Sequence, residues 1–147
     1  MNITAKMEYG LVALMDIALH QTSSGSVAVS EIAKRQGLTK NYLEQVLSPL
    51  RTAGIINGQK GAGGGYRLSR PARELPLSNV LTALDGGFLE AVWKSDAPCE
   101  AAMLSVLDQC LWQQLGQAVK NIAEQLTLAC LMEQYNAAGS NGFMYYI

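Results

Sequence analysis

Lys40, Asn41, Glu44 and Gln45 bring an ammonium, carboxamides and a carboxylate together within little more than one helical turn. Those groups suit nucleic acid. Lysine neutralises phosphate, Asn and Gln pair with the N6/N7 edge of adenine, and Glu accepts from the amino group of cytosine. A second set follows downstream, where Lys60 precedes Gly61-Ala62-Gly63-Gly64-Gly65 and Arg67, Arg70 and Arg73 come after it. A tip without bulky side chains, flanked by positive charge, can approach a sugar-phosphate backbone or enter a narrow minor groove. The glycine run is not a nucleotide-phosphate loop, because it lacks G-x-x-x-x-G-K-[ST] and no helical pattern opens directly after it. Enzyme chemistry finds no support. His20 is the only histidine, and no carboxylate–histidine–nucleophile grouping is available for acid–base work. Cys99, Cys110 and Cys130 are odd in number, so they read as thiols, ligands or core residues rather than as a disulfide scaffold.

The polar cluster at 40–45 needs a helix to present it. Apolar Met7, Leu11, Leu14, Met15, Ala18 and Leu19 recur at steps of three and four, which predicts a first helix over about 6–20. Ser23-Ser24-Gly25-Ser26 breaks it. A second helix is expected after Ser30, ending at Gly37 as a left-handed C-cap. Thr39 is a good N-cap for a third helix that buries Tyr42, Leu43, Val46, Leu47 and Leu50, stops at Gly54, and is kinked or short of one hydrogen bond at Pro49. Two short helices about a Gly-containing turn form a helix-turn-helix, whose second helix reads base edges from the major groove. Residues 55–60 and 66–69 read as strands of a hairpin around the glycines.

The C-terminal half has another character. Pro76 introduces a short helix with Leu77, Val80, Leu81 and Leu84 that Gly86-Gly87 ends, and 88–100 is irregular. Leu104, Leu107, Leu111, Leu115, Val119, Ile122 and Leu126 then mark a long amphipathic helix. A stripe of that length needs a partner surface, and the same helix of a second copy is the economical one. Thr127 caps a last helix expected to reach Tyr135. Residues 136–142 are expected to be a flexible linker before Phe143-Met144-Tyr145-Tyr146-Ile147.

With 147 residues, 49% of them hydrophobic, the chain fits one domain or one small domain with an oligomerisation element. The predicted class is mainly α with a small β-hairpin: a winged helix-turn-helix over 1–75, wing support and a long dimerisation helix over 76–135, and a C-terminal tail over 136–147. No apolar run is long enough for a membrane span and no secretory segment opens the sequence, so a cytoplasmic protein without a membrane partner is expected. The net charge of −1 hides an asymmetry, since residues 1–73 hold 9 Lys/Arg against 4 Asp/Glu and residues 74–147 hold 2 against 8. A half at +5 supplies the local basic footprint that contacts phosphate.

Asn41-Tyr42-Leu43-Glu44-Gln45-Val46-Leu47-Ser48-Pro49-Leu50-Arg51, followed by Gly54 and by Gly61-Ala62-Gly63-Gly64-Gly65-Tyr66, resembles the signature of the Rrf2 family of bacterial winged-helix regulators. The resemblance extends from Ile3-Thr4-Ala5-Lys6 and Tyr9 through Leu111-Trp112 and Thr127-Leu128. It implies a homodimer on a partly palindromic double-stranded DNA operator, with the helix at 39–53 in the major groove and the wing at 60–66 against the minor groove. Asn41, Tyr42, Glu44 and Gln45 match the family's groove-facing positions, Lys60 its basic wing residue, and Lys6 a basic position near the start of the first helix. Thr39, Lys40, Gly63, Gly64 and Arg67 complete the candidate DNA-contacting set.

Within the family, iron–sulfur members hold a cluster with three closely spaced Cys before the long helix. Here that region offers Cys99 and Cys110, and Gln109 stands where such a member can have its His ligand. No cofactor is therefore expected, with an iron–sulfur or redox sensor using Cys99 and Cys110 as the alternative. The aromatic, Ile-terminated tail resembles that of the family's cysteine-metabolism repressors. This implies a repressor of cysteine and sulfur metabolism genes, and a partner in O-acetylserine sulfhydrylase, the cysteine synthase, whose active site accepts a C-terminal Ile. Tyr145, Tyr146 and Ile147 are the candidate partner-binding residues, because a terminal carboxylate beside an apolar side chain can dock in a backbone nest. A third reading is an adaptor that regulates cysteine synthase by inserting this tail.

Overall fold

A computed structural model describes the backbone of residues 2–90 and 95–145, with side chains through Gly139. Helix α1 spans Ala5–His20. Its N-cap is Thr4, whose hydroxyl accepts from the Met7 N–H at 3.2 Å, satisfying one of the donors a helix start leaves over. The buried face of α1 is Met7, Gly10, Ala13, Leu14 and Ile17, whereas Leu11, Met15 and Ala18 are half-buried and Leu19 is exposed. Counting large apolar residues therefore places the face slightly off its true centre. Small residues decide it: a Cβ on Gly10 would meet the Leu84 side chain, so the glycine lets another helix approach closely.

Helix α2 is Val29–Gln36 and α3 is Lys40–Thr52. The start of α2 is a correction, since Ala28 is the N-cap, without a side-chain bond, and Ser30 lies inside the first turn. Gly37 has φ +66° and closes α2 as expected, the left-handed conformation that a Cβ would disfavour. The Thr39 hydroxyl accepts from Tyr42 N at 3.2 Å. Pro49 does not end α3. It lacks the N–H that would reach the Gln45 carbonyl, but the buried row Leu43, Val46, Leu47 and Leu50 holds the helix against α1 and α2.

Strands β1 (Ile56–Gln59) and β2 (Gly65–Leu68) form an antiparallel hairpin with Ile56 opposite Leu68 and Gly58 opposite Tyr66. The segment before α2, read from sequence only as a break, is part of this wing. Val27 and Tyr66 exchange backbone hydrogen bonds at 2.8 Å, Leu68 N donates to Gln21 Oε1 at 2.8 Å, and the Ser26 hydroxyl donates to the Gly63 carbonyl at 2.8 Å.

Helix α4 (Leu77–Leu84) closes the core over α1 and α3. Met7, Leu14, Ile17, Ile32, Leu43, Leu47, Leu50, Leu75, Val80 and Leu128 meet in one apolar cluster. Burial of such side chains contributes ~1.5–3 kcal/mol each. The C-terminal helices are α5 (Ala101–Leu107), a π-helical stretch Asp108–Trp112, α6 (Gln113–Gln125) and α7 (Leu128–Tyr145). Together α5 to α6 make the long helix expected from the leucine stripe, with a wider turn set into it. A clasp ties its end to the winged helix: Leu77 N donates to the Leu126 carbonyl at 2.8 Å and Leu128 N to the Leu75 carbonyl at 2.9 Å. The segment 136–142, expected as a linker, instead continues α7, which runs to Tyr145. No Pro interrupts it, and Ala137-Ala138 favour propagation from the anchored N-terminal turns. Among the described residues, no helix is long and apolar enough to cross a membrane.

Candidate nucleic-acid interface

Turn by turn, α3 divides into a buried row and an outward row. Leu43, Val46, Leu47 and Leu50 face the core, which leaves Lys40, Asn41, Glu44, Gln45 and Arg51 exposed. Tyr42 is half-buried, its ring edge-on to Tyr9 with centroids 5.5 Å apart, so part of its side chain packs α3 against α1. Lys6 is exposed on the first turn of α1.

The wing stands beside this outward row. Between them lies a cleft of about 410 Å³ lined by Lys40, Glu44, Lys60, Gly64 and Tyr66, with the start of α2 at Ala28, Val29 and Ser30 along one wall. Arg51 and Gln59 line it as well. Sequence reasoning passed over Arg51, although it follows Lys40 by eleven residues and Glu44 by seven, spacings that keep all three on one helical face. Lys40, Arg51 and Lys60 thus give one cleft three cationic side chains.

Other candidates have local tasks. Glu44 Oε2 accepts from the Tyr66 hydroxyl at 3.1 Å, so one carboxylate oxygen is engaged by β2. Burial, and then the Glu44 carboxylate, push the Tyr66 phenol above its ordinary value, which keeps it a donor. Arg67 Nη2 donates to the Ser23 carbonyl at 3.4 Å, directing that guanidinium toward the loop between α1 and α2. Gly64 is sterically required, because a Cβ there would come within 2.7 Å of the Gln59 carbonyl oxygen; Gly63 has open space around it. Gly65 is tighter still. A Cβ would overlap the Val27 carbonyl, and Gly65→Ala is expected to unseat the wing and cost ~1–3 kcal/mol. Thermal unfolding checks this, and an unchanged midpoint would show that the 21–28 segment can yield.

Of the cysteines, Cys99 and Cys110 are exposed and Cys130 is partly so. Cys99 precedes α5, Cys110 lies in the π-helical stretch, and Cys130 sits in the first turn of α7. A hydrogen bond with the Thr127 hydroxyl, 3.3 Å away, pulls the Cys130 thiol below its ordinary value. Iron–sulfur clusters are held as a rule by four protein ligands. Among the described residues no three His, Cys, Asp or Glu side chains are grouped to hold a metal. The Tyr145 side chain, and Tyr146 and Ile147 altogether, lie outside the described residues.

The family profile described as Rrf2, iron-dependent transcriptional regulator, matches residues 3–134. This chain belongs to the Rrf2 family. Among its relatives is the HTH-type transcriptional regulator IscR of Photobacterium profundum, 33% identical over 142 residues that make up 97% of this chain and 81% of the relative. Among solved Rrf2 structures, CymR, the global cysteine regulator of B. subtilis, aligns with TM-score 0.76 and 29% identity over 91% of this chain and 98% of that one. T. potens IscR aligns with TM-score 0.68 and 31% identity over 99% of this chain and 97% of that one. As an Rrf2 protein, the chain is a winged-helix transcription regulator and not an enzyme.

Proposed function

We propose that this Rrf2 regulator acts as a cytoplasmic homodimer that represses cysteine and sulfur metabolism genes by reading a palindromic operator. The outward row of α3 set beside a basic cleft at the wing is the observation that carries DNA reading. Asn41, Glu44 and Gln45 meet base edges in the major groove, Lys60 and the Gly63-Gly64 tip lie against the minor groove, and Lys6, Thr39, Lys40, Tyr42 and Arg67 set the register on the backbone. Residues 1–75 serve as the reading head, 76–135 as support and dimer surface, and 136–147 as the tail.

Dimerisation is supported by the stripe on the long helix. Met103 is 65% exposed, Val106 58% and Ile122 57%, with Leu107, Leu111, Leu115 and Leu126 also exposed. So continuous an apolar face calls for a second copy of itself. Two reading heads held that way address half-sites about one helical turn, roughly 34 Å, apart. A change of angle between them would mismatch the operator and release it.

The cysteine assignment rests on likeness to CymR across almost the whole of that chain. Relatives named IscR favour a second reading, an iron–sulfur regulator in which Cys99 and Cys110 are completed by ligands from elsewhere. One preparation separates the two. Anaerobically purified protein is expected to be colourless and to bind O-acetylserine sulfhydrylase in calorimetry, with binding lost when Tyr146-Ile147 is deleted and duplex binding kept. A visible chromophore without enzyme binding would establish the iron–sulfur reading instead, and loss of duplex binding with the tail would favour the adaptor.

A further inference from the structure

The cleft between α3 and the wing contains a link that neither element supplies alone. Tyr66 is buried at 6% exposure on β2, and its hydroxyl donates to Glu44 Oε2 on α3 at 3.1 Å. Its position is fixed from several sides. The backbone N–H and carbonyl of Tyr66 are both paired with Val27 at 2.8 Å, and Gly65 before it presses against the Val27 carbonyl without room for a Cβ. Across the ladder the ring faces Gly58, where an added Cβ would lie 3.5 Å from the ring edge and 4.0 Å from Arg51 Cδ. The phenol is thus aimed by the sheet, while Glu44 is an exposed side chain that would otherwise sample many rotamers.

We propose that Tyr66 is a specificity-positioning residue: its hydroxyl holds the Glu44 carboxylate in one orientation, so that seating of the wing decides which base edge Glu44 reads. The inference rests on the DNA reading proposed above. A carboxylate has two oxygens and lone pairs to spare, so Oε2 can accept from Tyr66 while Oε1 accepts from the exocyclic amino group of a cytosine. A held carboxylate also repels a base edge that presents only acceptors, which a swinging one would avoid. Discrimination therefore depends on an oxygen atom in the wing that itself touches no base.

The test uses the full-length protein as wild type, Tyr66→Phe, Glu44→Ala and the double variant. Each is selected against a randomised duplex pool and then titrated on the wild-type-selected duplex and its single-base-pair variants. Tyr66→Phe keeps the ring and the backbone bridge to Val27, so its thermal midpoint should match wild type. Discrimination is expected to fall about three- to tenfold at the base pair that Glu44→Ala also affects, as for the loss of one typical hydrogen bond. Salt dependence should be unchanged, and the double variant should behave as Glu44→Ala alone. Wild-type discrimination in Tyr66→Phe, or an equal loss at every position, overturns the inference while DNA reading stands. A wild-type protein that selects no duplex overturns the DNA reading and this inference with it.

Discussion

Arg35→Ala is expected to lower the unfolding free energy at pH 7 by about 3 kcal/mol, although Arg35 of α2 is no part of the apolar core. Its guanidinium grips Asp16 with two hydrogen bonds, Nε to Oδ2 at 3.0 Å and Nη2 to Oδ1 at 2.7 Å. Asp16 is the buried charged residue of α1, 1% exposed, and Gln36 adds a third donor at 2.8 Å. His20 Nδ1 also lies 3.4 Å from Oδ1. Without the guanidinium, Gln36 and His20 cannot compensate a buried anion. The side chain of Arg35 is itself 30% exposed, so water reaches the gap and the cost stays at the low end of ~3–5 kcal/mol for a broken buried pair.

The pH dependence gives the prediction its sharpest form. Burial pushes the Asp16 carboxyl up, but the hydrogen bonds from Arg35 and Gln36 and the charge of Arg35 outweigh it and hold the group below its ordinary value. A depressed carboxylate contributes stability that is present above its unfolded pKa, about 4, and lost as pH falls through the lower folded value. The gap between wild type and Arg35→Ala should therefore be widest near neutrality and shrink below about pH 4. Urea unfolding at pH 7, 5 and 3.5 measures it. A gap of constant size would mean that Arg35 acts through packing alone, and Asp16→Ala in the Arg35→Ala background should cost less than the two single changes added together.

Gln45→Ala has the largest expected effect on recognition. The side chain is exposed on the outward row of α3, so stability should stay within ~0.5 kcal/mol. Discrimination against a wrong base pair should fall by ~1–3 kcal/mol, the worth of a bidentate carboxamide–adenine pair. Affinity for unrelated duplex and its slope against salt should hold, because in the proposed reading that term comes from phosphate contacts by Lys40, Arg51 and Lys60, which line the cleft. Fluorescence anisotropy on a selected site and on scrambled duplex over a salt series checks both halves. Equal loss on the two duplexes would remove Gln45 from base reading.

Much of this arrangement was legible in the residues because the deciding forces act between near neighbours. Thr39 caps α3 through a donor three residues on, Gly37 ends α2 because a left-handed turn costs it nothing, and Ile56 to Leu68 make a hairpin around glycines. The leucine stripe announces the long helix for the same reason, since a period of three and four is the helix's own. Where near-neighbour reasoning erred, the missing information lay on another element. The true face of α1 depends on Leu84 against Gly10, and the start of α2 on Val27 paired to Tyr66. Arg51, with no cap or turn to mark it, becomes a site residue only because β1 and β2 come to stand beside it.

The resemblance to the family was carried by the motifs at 41–51 and 61–66, whereas the helix-turn-helix with its wing and the outward polar row of α3 followed from periodicity, caps and turn chemistry within a few residues. Four features emerge only when the elements pack: Asp16 is buried and clamped from α2, Glu44 is held by Tyr66, Leu75 and Leu77 clasp Leu126 and Leu128, and α7 runs on through 136–145. The first three join groups 19 to 53 residues apart in the chain, and no local pattern encodes such a pairing. The last is set by helical growth from an anchored turn, which a composition of Asn, Gly and Ser conceals.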